Sequence, residues 1–233
     1  MIITDKLVSV IIPAYNEADI IEETLANLDY RWIKEIIVIN DGSEDKTLEL
    51  IKKYIVKIIN FRENKGKGRA VEAGLKAARG EVIAIIDADL GESVREISKL
   101  IEPIIKKNAD IVIGIVEIKG GGLGLVCWLA EKIVDIFTGQ VMKAPLSGQR
   151  IFHRRILSDI MPLAQGFGLE IAMDIDILNK NINLSEIKCD FAHRVTGHTV
   201  DGYFHRWQQF YDIVRTAWFK RRYLWLRFLK KLD

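Results

Sequence analysis

The apolar residues of this 233-residue chain fall into short unbroken runs, separated by stretches of helical period. Leu7–Ile12, Glu35–Asn40, Val56–Asn60, Val82–Ile86 and Asp110–Ile115 read as five strands rich in Val and Ile. Runs of that kind mean burial on both faces, hence a parallel sheet covered by helices. Between them, Glu17–Leu28, Ser43 to about Tyr54, Gly66–Ala78 and Val94–Lys107 place apolar residues three and four apart, which predicts helices. Gly80 closes the third of these, as a glycine after a helix commonly does.

After residue 115 the alternation breaks. Gly120-Gly121-Gly122 and Gly124 form a permissive loop, followed by a helix near Leu125–Phe137. Residues 140–150 read as irregular. Helices near Arg154–Met161 and Glu170–Asn179 flank Gly166-Phe167-Gly168, and Leu184–Phe191 reads as a late strand. From Tyr203 onward the chain is strongly helical. Phe204, Trp207, Phe210, Tyr211, Val214 and Trp218 keep a helical period, which predicts a stripe packed on the body of the protein. From Trp218 to Leu232, aromatic and aliphatic residues interleave with Lys and Arg. That pattern suits a packed helix, a contact in a homodimer, or peripheral attachment to a membrane whose anionic headgroups meet the basic residues.

Composition changes this picture little. Nearly half of the residues are hydrophobic, enough for one sizeable core. The net charge is only +2, so nothing argues for a nucleic-acid partner, but residues 203–233 carry +6 and the remainder −4. Cys127 and Cys189 lie far apart, in neither a metal-type spacing nor a disulfide framework, and read as buried thiols in a reducing, cytoplasmic compartment. Leu7–Pro13 is too short for a signal peptide and follows Asp5 and Lys6. No run of about 18 uninterrupted apolar residues suggests a membrane span, so any attachment is expected to be peripheral, at the inner face.

The chemistry starts at the end of the fourth run, where Val82–Ile86 gives way to Asp87-Ala88-Asp89. Carboxylates at the carboxyl edge of a parallel sheet sit where α/β folds bind ligands. Two so close together call for a cation, and Mg²⁺ or Mn²⁺ with a substrate diphosphate is the simplest partner. Two familiar nucleotide folds are excluded. The first strand leads into Pro13-Ala14-Tyr15-Asn16-Glu17, with no Gly-x-Gly-x-x-Gly turn, and Asn64-Lys65-Gly66-Lys67-Gly68-Arg69 lacks the spacing and the hydroxyl of a phosphate loop.

Four segments in order, Val8–Glu17, Val38–Ser43, Asn64–Gly68 and Asp87-Ala88-Asp89, resemble the family 2 glycosyltransferases. The similarity is to their dolichol-phosphate mannose synthase-like, polyprenyl glycosyltransferase-like group. The resemblance implies the GT-A fold, an α/β architecture with a mostly parallel central sheet flanked by helices. It divides the chain into a catalytic domain over 1–202, with a nucleotide-sugar half to residue 115 and an acceptor half after it, and a helical extension over 203–233. It also implies transfer of a sugar from a UDP- or GDP-sugar to a hydroxyl or phosphate, with a lipid-linked acceptor as one option. A sugar nucleotidyltransferase and a catalytically silent nucleotide-binding module are the rivals. The resemblance assigns Pro13, Ala14 and Tyr15 to the nucleoside pocket, Glu17 to the ribose and Asp41 to the base. Lys65 and Lys67 precede a helix start suited to anions. Asp87 reaches the ribose or base side, and Asp89 is the metal ligand, joined by His193. Arg150, which ends the polar turn Pro145–Arg150, is a phosphate clamp or a structural ion pair. Arg194 meets a donor or acceptor phosphate. Glu170 is the base for the acceptor, and Asp174, one turn on, its substitute.

Overall fold

The computed structural model describes residues 6–116, 124–164, 166–192, 212 and 214–221. Seven strands form one sheet: β1 (Val8–Ala14), β2 (Ile33–Asp41), β3 (Lys57–Phe61), β4 (Val82–Ile85), β5 (Ile111–Val116), β6 (Arg150–His153) and β7 (Leu184–Cys189), in the order β3-β2-β1-β4-β6-β5-β7. All pairs are parallel except the two made by β6, which runs antiparallel to both β4 and β5. The helices are α1 (Ile21–Ala26), α2 (Thr47–Ile51), α3 (Lys67–Ala77), α4 (Ile97–Ile105), α5 (Gly124–Thr138), α6 (Leu157–Ile160) and α7 (Leu169–Asn179). Residues 214–220 form a further helical segment.

Successive strand residues point to opposite faces, and the core divides accordingly. Ile11, Ile37, Ile39, Ile83, Ile85 and Ile113 pack with Val71 and Leu75 of α3, Val134 of α5 and Ile171 and Ile175 of α7. Their neighbours Val10, Ile12, Val38, Ala84 and Val112 pack with Ile21 and Leu25 of α1 and Leu100, Ile101 and Ile104 of α4. Both faces are therefore covered, which is why these strands carry few polar residues.

The five strands expected in the first half are all present. Two helices there are shorter than expected: α1 begins at Ile21 rather than Glu17, and α2 spans Thr47–Ile51 only. The expected helix over Val94–Lys107 is divided into a 3-10 turn (Gly91–Glu96) and α4. The larger correction concerns β6, which falls where the sequence predicts an irregular stretch and then a helix. It has only four residues, with Arg150 first and His153 last, too few to show an alternation. Its partners β4 and β5 lie far away in sequence. Because β6 is antiparallel to β4, with Arg150 opposite Ile85, its first residue sits at the carboxyl edge of the sheet. The turn preceding β6 is thereby delivered next to Asp87.

Candidate active site at the carboxyl edge of the sheet

The loops that follow β1 and β2 are stitched together. Asn16 donates its backbone N–H to Ser43 Oγ (3.0 Å), and its side-chain oxygen accepts the N–H of Glu44 (2.9 Å). The N–H of Glu17 goes to Thr47 Oγ1 (2.8 Å), and that of Ala18 to Asp45 Oδ2 (3.1 Å). Ala14 is buried at the end of β1, Pro13 is half-buried, and Tyr15 stands exposed on the rim. Asp41 ends β2 as a buried carboxylate. Its Oδ1 accepts the N–H of Lys65 (2.7 Å) and its Oδ2 that of Gly66 (2.9 Å), so it fastens the turn that starts α3. A carboxylate has about four acceptor positions, so a base N–H remains compatible with this task.

Asp87, just past β4, is the centre of a second cluster. Its Oδ2 accepts a hydrogen bond from Gln149 Nε2 (2.8 Å), and its Oδ1 lies 2.8 Å from the Lys67 ammonium. The same ammonium lies 2.8 Å from Glu170 Oε1, on the first turn of α7. Burial by itself would lower the Lys67 pKa, but the fields of Asp87 and Glu170 override it and hold it well above the ordinary lysine value. Lys67, Asp87, Gln149 and Glu170 thus converge from α3, the end of β4, the turn before β6, and α7. Three of them are candidates from the sequence alone. The fourth, Gln149, carries no sequence signal beyond its place inside a polar turn.

Asp89 lines a cleft of about 790 Å³ together with Asp19, Glu23, Glu92, Asp190 and Ala192. Apart from Arg95, the charged side chains around it are carboxylates. Such an oxygen-only donor set fits a hard divalent cation, which takes one or two protein carboxylates and leaves its other positions to phosphate and water. Among the described residues no three His, Cys, Asp or Glu form a ready-made metal cluster. His193 and Arg194 lie outside the described residues.

Residues 9–159 match the glycosyl transferase family 2 model. The chain belongs to this family. It is 34% identical over 208 residues to a dolichol-phosphate mannosyltransferase of Pyrococcus furiosus, covering 82% of this chain and 58% of that protein. It is 30% identical over 166 residues to a dolichyl-phosphate beta-glucosyltransferase of Dictyostelium discoideum, covering 64% of this chain and 45% of that one. The chain therefore spans about half the length of these relatives. Among solved structures, glucosyl-3-phosphoglycerate synthase of Mycobacterium tuberculosis superposes with a TM-score of 0.73 at 25% identity, over 91% of this chain and 80% of that one. A further structure of that synthase, with Mn²⁺, UDP and glucosyl-3-phosphoglycerate, gives the same TM-score at 24% identity. The fold is GT-A.

Within this family 2 frame, the structure chooses between the two readings of Arg150, removes Asp174 as a substitute base, and sets Lys65 apart from Lys67. Arg150 is 1% exposed. Its guanidinium makes a bidentate pair with Asp174, and also donates to the carbonyls of Ser147 (2.9 Å) and Pro145 (3.3 Å). It is a structural ion pair and is closed to a phosphate. Asp174, fully buried in that pair, is likewise no substitute for Glu170. Burial pushes its carboxyl up to about 6, against the opposing pull of Arg150. Lys65 is separated from Lys67: its ammonium rests 5.3 Å from the centre of the Phe61 ring, beyond β2.

The C-terminal helical segment also differs from expectation. Val214 and Trp218, assigned to an inward stripe, are 46% and 66% exposed, and Phe219 is exposed beside them. The face that packs is made instead by Thr216, which is buried, by Ala217, which joins the core, and by Lys220, which pairs with Asp176 of α7. A Cβ at Gly168 would run into Thr216 Oγ1, so only glycine fits beneath this helix. The other half of the stripe, Phe204 to Tyr211, lies outside the described residues. Among the described residues no helix is long and apolar enough to cross a membrane.

Proposed function

We propose that the chain transfers a sugar from a nucleoside diphosphate sugar, with uracil or guanine as base, to a polyprenyl phosphate. The observation that carries this reading is the meeting of Glu170 with Asp87 across Lys67 at the carboxyl edge of the sheet. It sets an acid from the second half of the chain beside the edge where an α/β fold holds its nucleotide. Pro13, Ala14 and Tyr15 line the nucleoside, Glu17 accepts the ribose hydroxyls, and Asp41 takes the base N–H while holding its turn. Asp87 bounds the donor on the other side. Asp89, with His193, would hold Mg²⁺ or Mn²⁺, which when bound supplies Lewis-acid stabilisation of the departing diphosphate. The structures of the mycobacterial synthase with Mn²⁺ or Mg²⁺ and UDP support that part of the reading. Glu170 takes the proton that the acceptor oxygen still carries. A hydroxyl carries it fully, and a phosphate carries it in part, its second ionisation lying at about pH 6.

A lipid acceptor is supported by the relatives named for dolichyl phosphate and by the exposed face of the C-terminal helix. There Val214, Trp218 and Phe219 stand with Arg215 and Arg221. The two guanidiniums lie 5.6 Å from the Phe219 ring and 4.6 Å from the Trp218 ring. Aromatic rings beside cations suit the headgroup layer of an anionic bilayer.

The test is to incubate the protein with Mn²⁺ and a panel of UDP- and GDP-sugars, offering polyprenyl phosphate or phosphoglyceric acid, with products read by mass spectrometry. Glycosylated polyprenyl phosphate is expected, and Asp89→Asn should abolish it while leaving the fold intact. Sugar on phosphoglyceric acid alone would move the acceptor to a small soluble acid. Nucleotide binding without transfer would reduce the chain to a binding module. Pyrophosphate release from a nucleoside triphosphate and a sugar phosphate would make it a nucleotidyltransferase.

A further inference from the structure

Lys67 lies where segments distant in sequence meet. It is the first residue of α3, its side chain is 31% exposed, and its ammonium is 2.8 Å from both Asp87 Oδ1 and Glu170 Oε1. An ammonium has three donors and no acceptor, so it can bridge two acids at a fixed separation. Without it the two carboxylates would repel each other. The far oxygen of Asp87 is held as well, by Gln149 Nε2 at 2.8 Å, and Gln149 is fully buried. Asp87 is therefore pinned from two sides, and Lys67 carries that fixed position across to α7. Glu170 is 6% exposed, and Lys67 is its ion-pair partner among the described residues. Lys65, two residues earlier, is exposed and reaches neither acid, which makes the bridging specific to position 67.

We propose that Lys67 is a positioning residue of the transfer site, tying the acid at the donor edge to the acid on α7 and acting through Glu170 rather than by gripping a donor phosphate. This rests on the reading of Glu170 given above. Removing the ammonium lets the two acids part, and Glu170 then no longer addresses the acceptor oxygen. A displacement of that kind, near 1 Å, costs about 100-fold in rate.

The experiment is a double-mutant cycle on sugar transfer to polyprenyl phosphate at about pH 6, where the acceptor phosphate still carries its second proton in part, using the donor accepted by the wild type with Mn²⁺. It compares Lys67→Met, Glu170→Gln and the double variant, each with a melting temperature. Lys67→Met is expected to lose about 100-fold in kcat with its donor KM within about threefold of the wild type. The double variant should be no slower than the slower single one, as for residues that act as a unit. Lys67→Arg, whose guanidinium can also span two carboxylates, should restore part of the rate and keeps the test alive where the methionine variant does not fold. A donor KM raised more than about tenfold at unchanged kcat, or losses that multiply, would make Lys67 a phosphate ligand and overturn the proposal. A wild type inactive with every donor removes the reading of Glu170 and not the tie itself. The crystal structure of Lys67→Met then decides: Glu170 displaced from Asp87 supports the tie, and unmoved acids overturn it.

Discussion

Gly148 sits so close against the carboxylate of Asp87 that a Cβ built at position 148 would lie 2.6 Å from Oδ1, and closer still to Oδ2. Asp87 cannot yield cheaply. Its two oxygens are engaged by Lys67 and Gln149, so turning the carboxylate away breaks one or both contacts. Gly148→Ala is therefore expected to lower kcat/KM for the donor by about 100-fold, at a stability cost of about 1–3 kcal/mol, the usual range for overpacking. Transfer kinetics and thermal melts on the same preparation check both. Wild-type kinetics in a folded Gly148→Ala protein would show that the position of Asp87 does not matter to the reaction.

The Arg150–Asp174 pair makes a prediction about stability alone. Both side chains are out of water, and the guanidinium is further held by the carbonyls of Ser147 and Pro145. Asp174→Asn leaves a buried cation without its counter-ion, and the expected loss is about 3–5 kcal/mol. Replacing both partners, as Arg150→Met with Asp174→Leu, removes the charges together and should recover most of that loss. Denaturant unfolding of the three variants measures it. A double variant less stable than Asp174→Asn would mean that the pair stabilises the fold beyond neutralising its own charges.

How much of this was legible in the sequence depended on how local each cause is. The strands β1 to β5 announced themselves because burial on both faces is written into consecutive Val and Ile residues. Four-residue β6 was invisible because its place is decided by partners far off in the chain. Asp87, Lys67 and Glu170 were each legible as chemistry-bearing residues, but that one ammonium joins the other two follows only from the fold, which brings the start of α3 within reach of the end of β4 and the first turn of α7. Arg150 was ambiguous for a physical reason. A guanidinium fit to clamp a phosphate is equally fit to pair with a buried carboxylate, and only burial separates the two. The helical period around Val214 and Trp218 located a stripe but not the direction it faces. The residues that turned inward, Thr216 and Lys220, are polar and satisfied by the protein.

That outward-facing stripe predicts a membrane contact. Trp218→Glu combined with Phe219→Glu replaces two exposed rings with acids and touches neither Thr216 nor Lys220, so the melting temperature should stay within a few degrees. Co-sedimentation with vesicles containing an anionic lipid should be lost, and the wild type should bind less as salt screens the basic residues. Binding that survives the double substitution would assign the contact elsewhere, and binding equal on neutral vesicles would remove its electrostatic part.

Glu170→Gln separates the two kinds of acceptor by pH. The amide cannot take a proton, and loss of a general base costs about 100- to 10,000-fold where a proton must be removed in the transition state. A hydroxyl acceptor keeps its proton across the neutral range, so its penalty should be as large at pH 8 as at pH 6. A phosphate acceptor loses its second proton near pH 6. As pH rises it presents an oxygen that needs no base, and the penalty should shrink. With a polyprenyl phosphate the expected outcome is a ratio of wild-type to variant rates that falls steadily between pH 6 and pH 8. The ratio is the quantity to measure, because effects of pH on donor, cation and membrane binding are shared by both proteins and cancel. A flat ratio would assign Glu170 to holding the site together through Lys67, with no share in proton transfer.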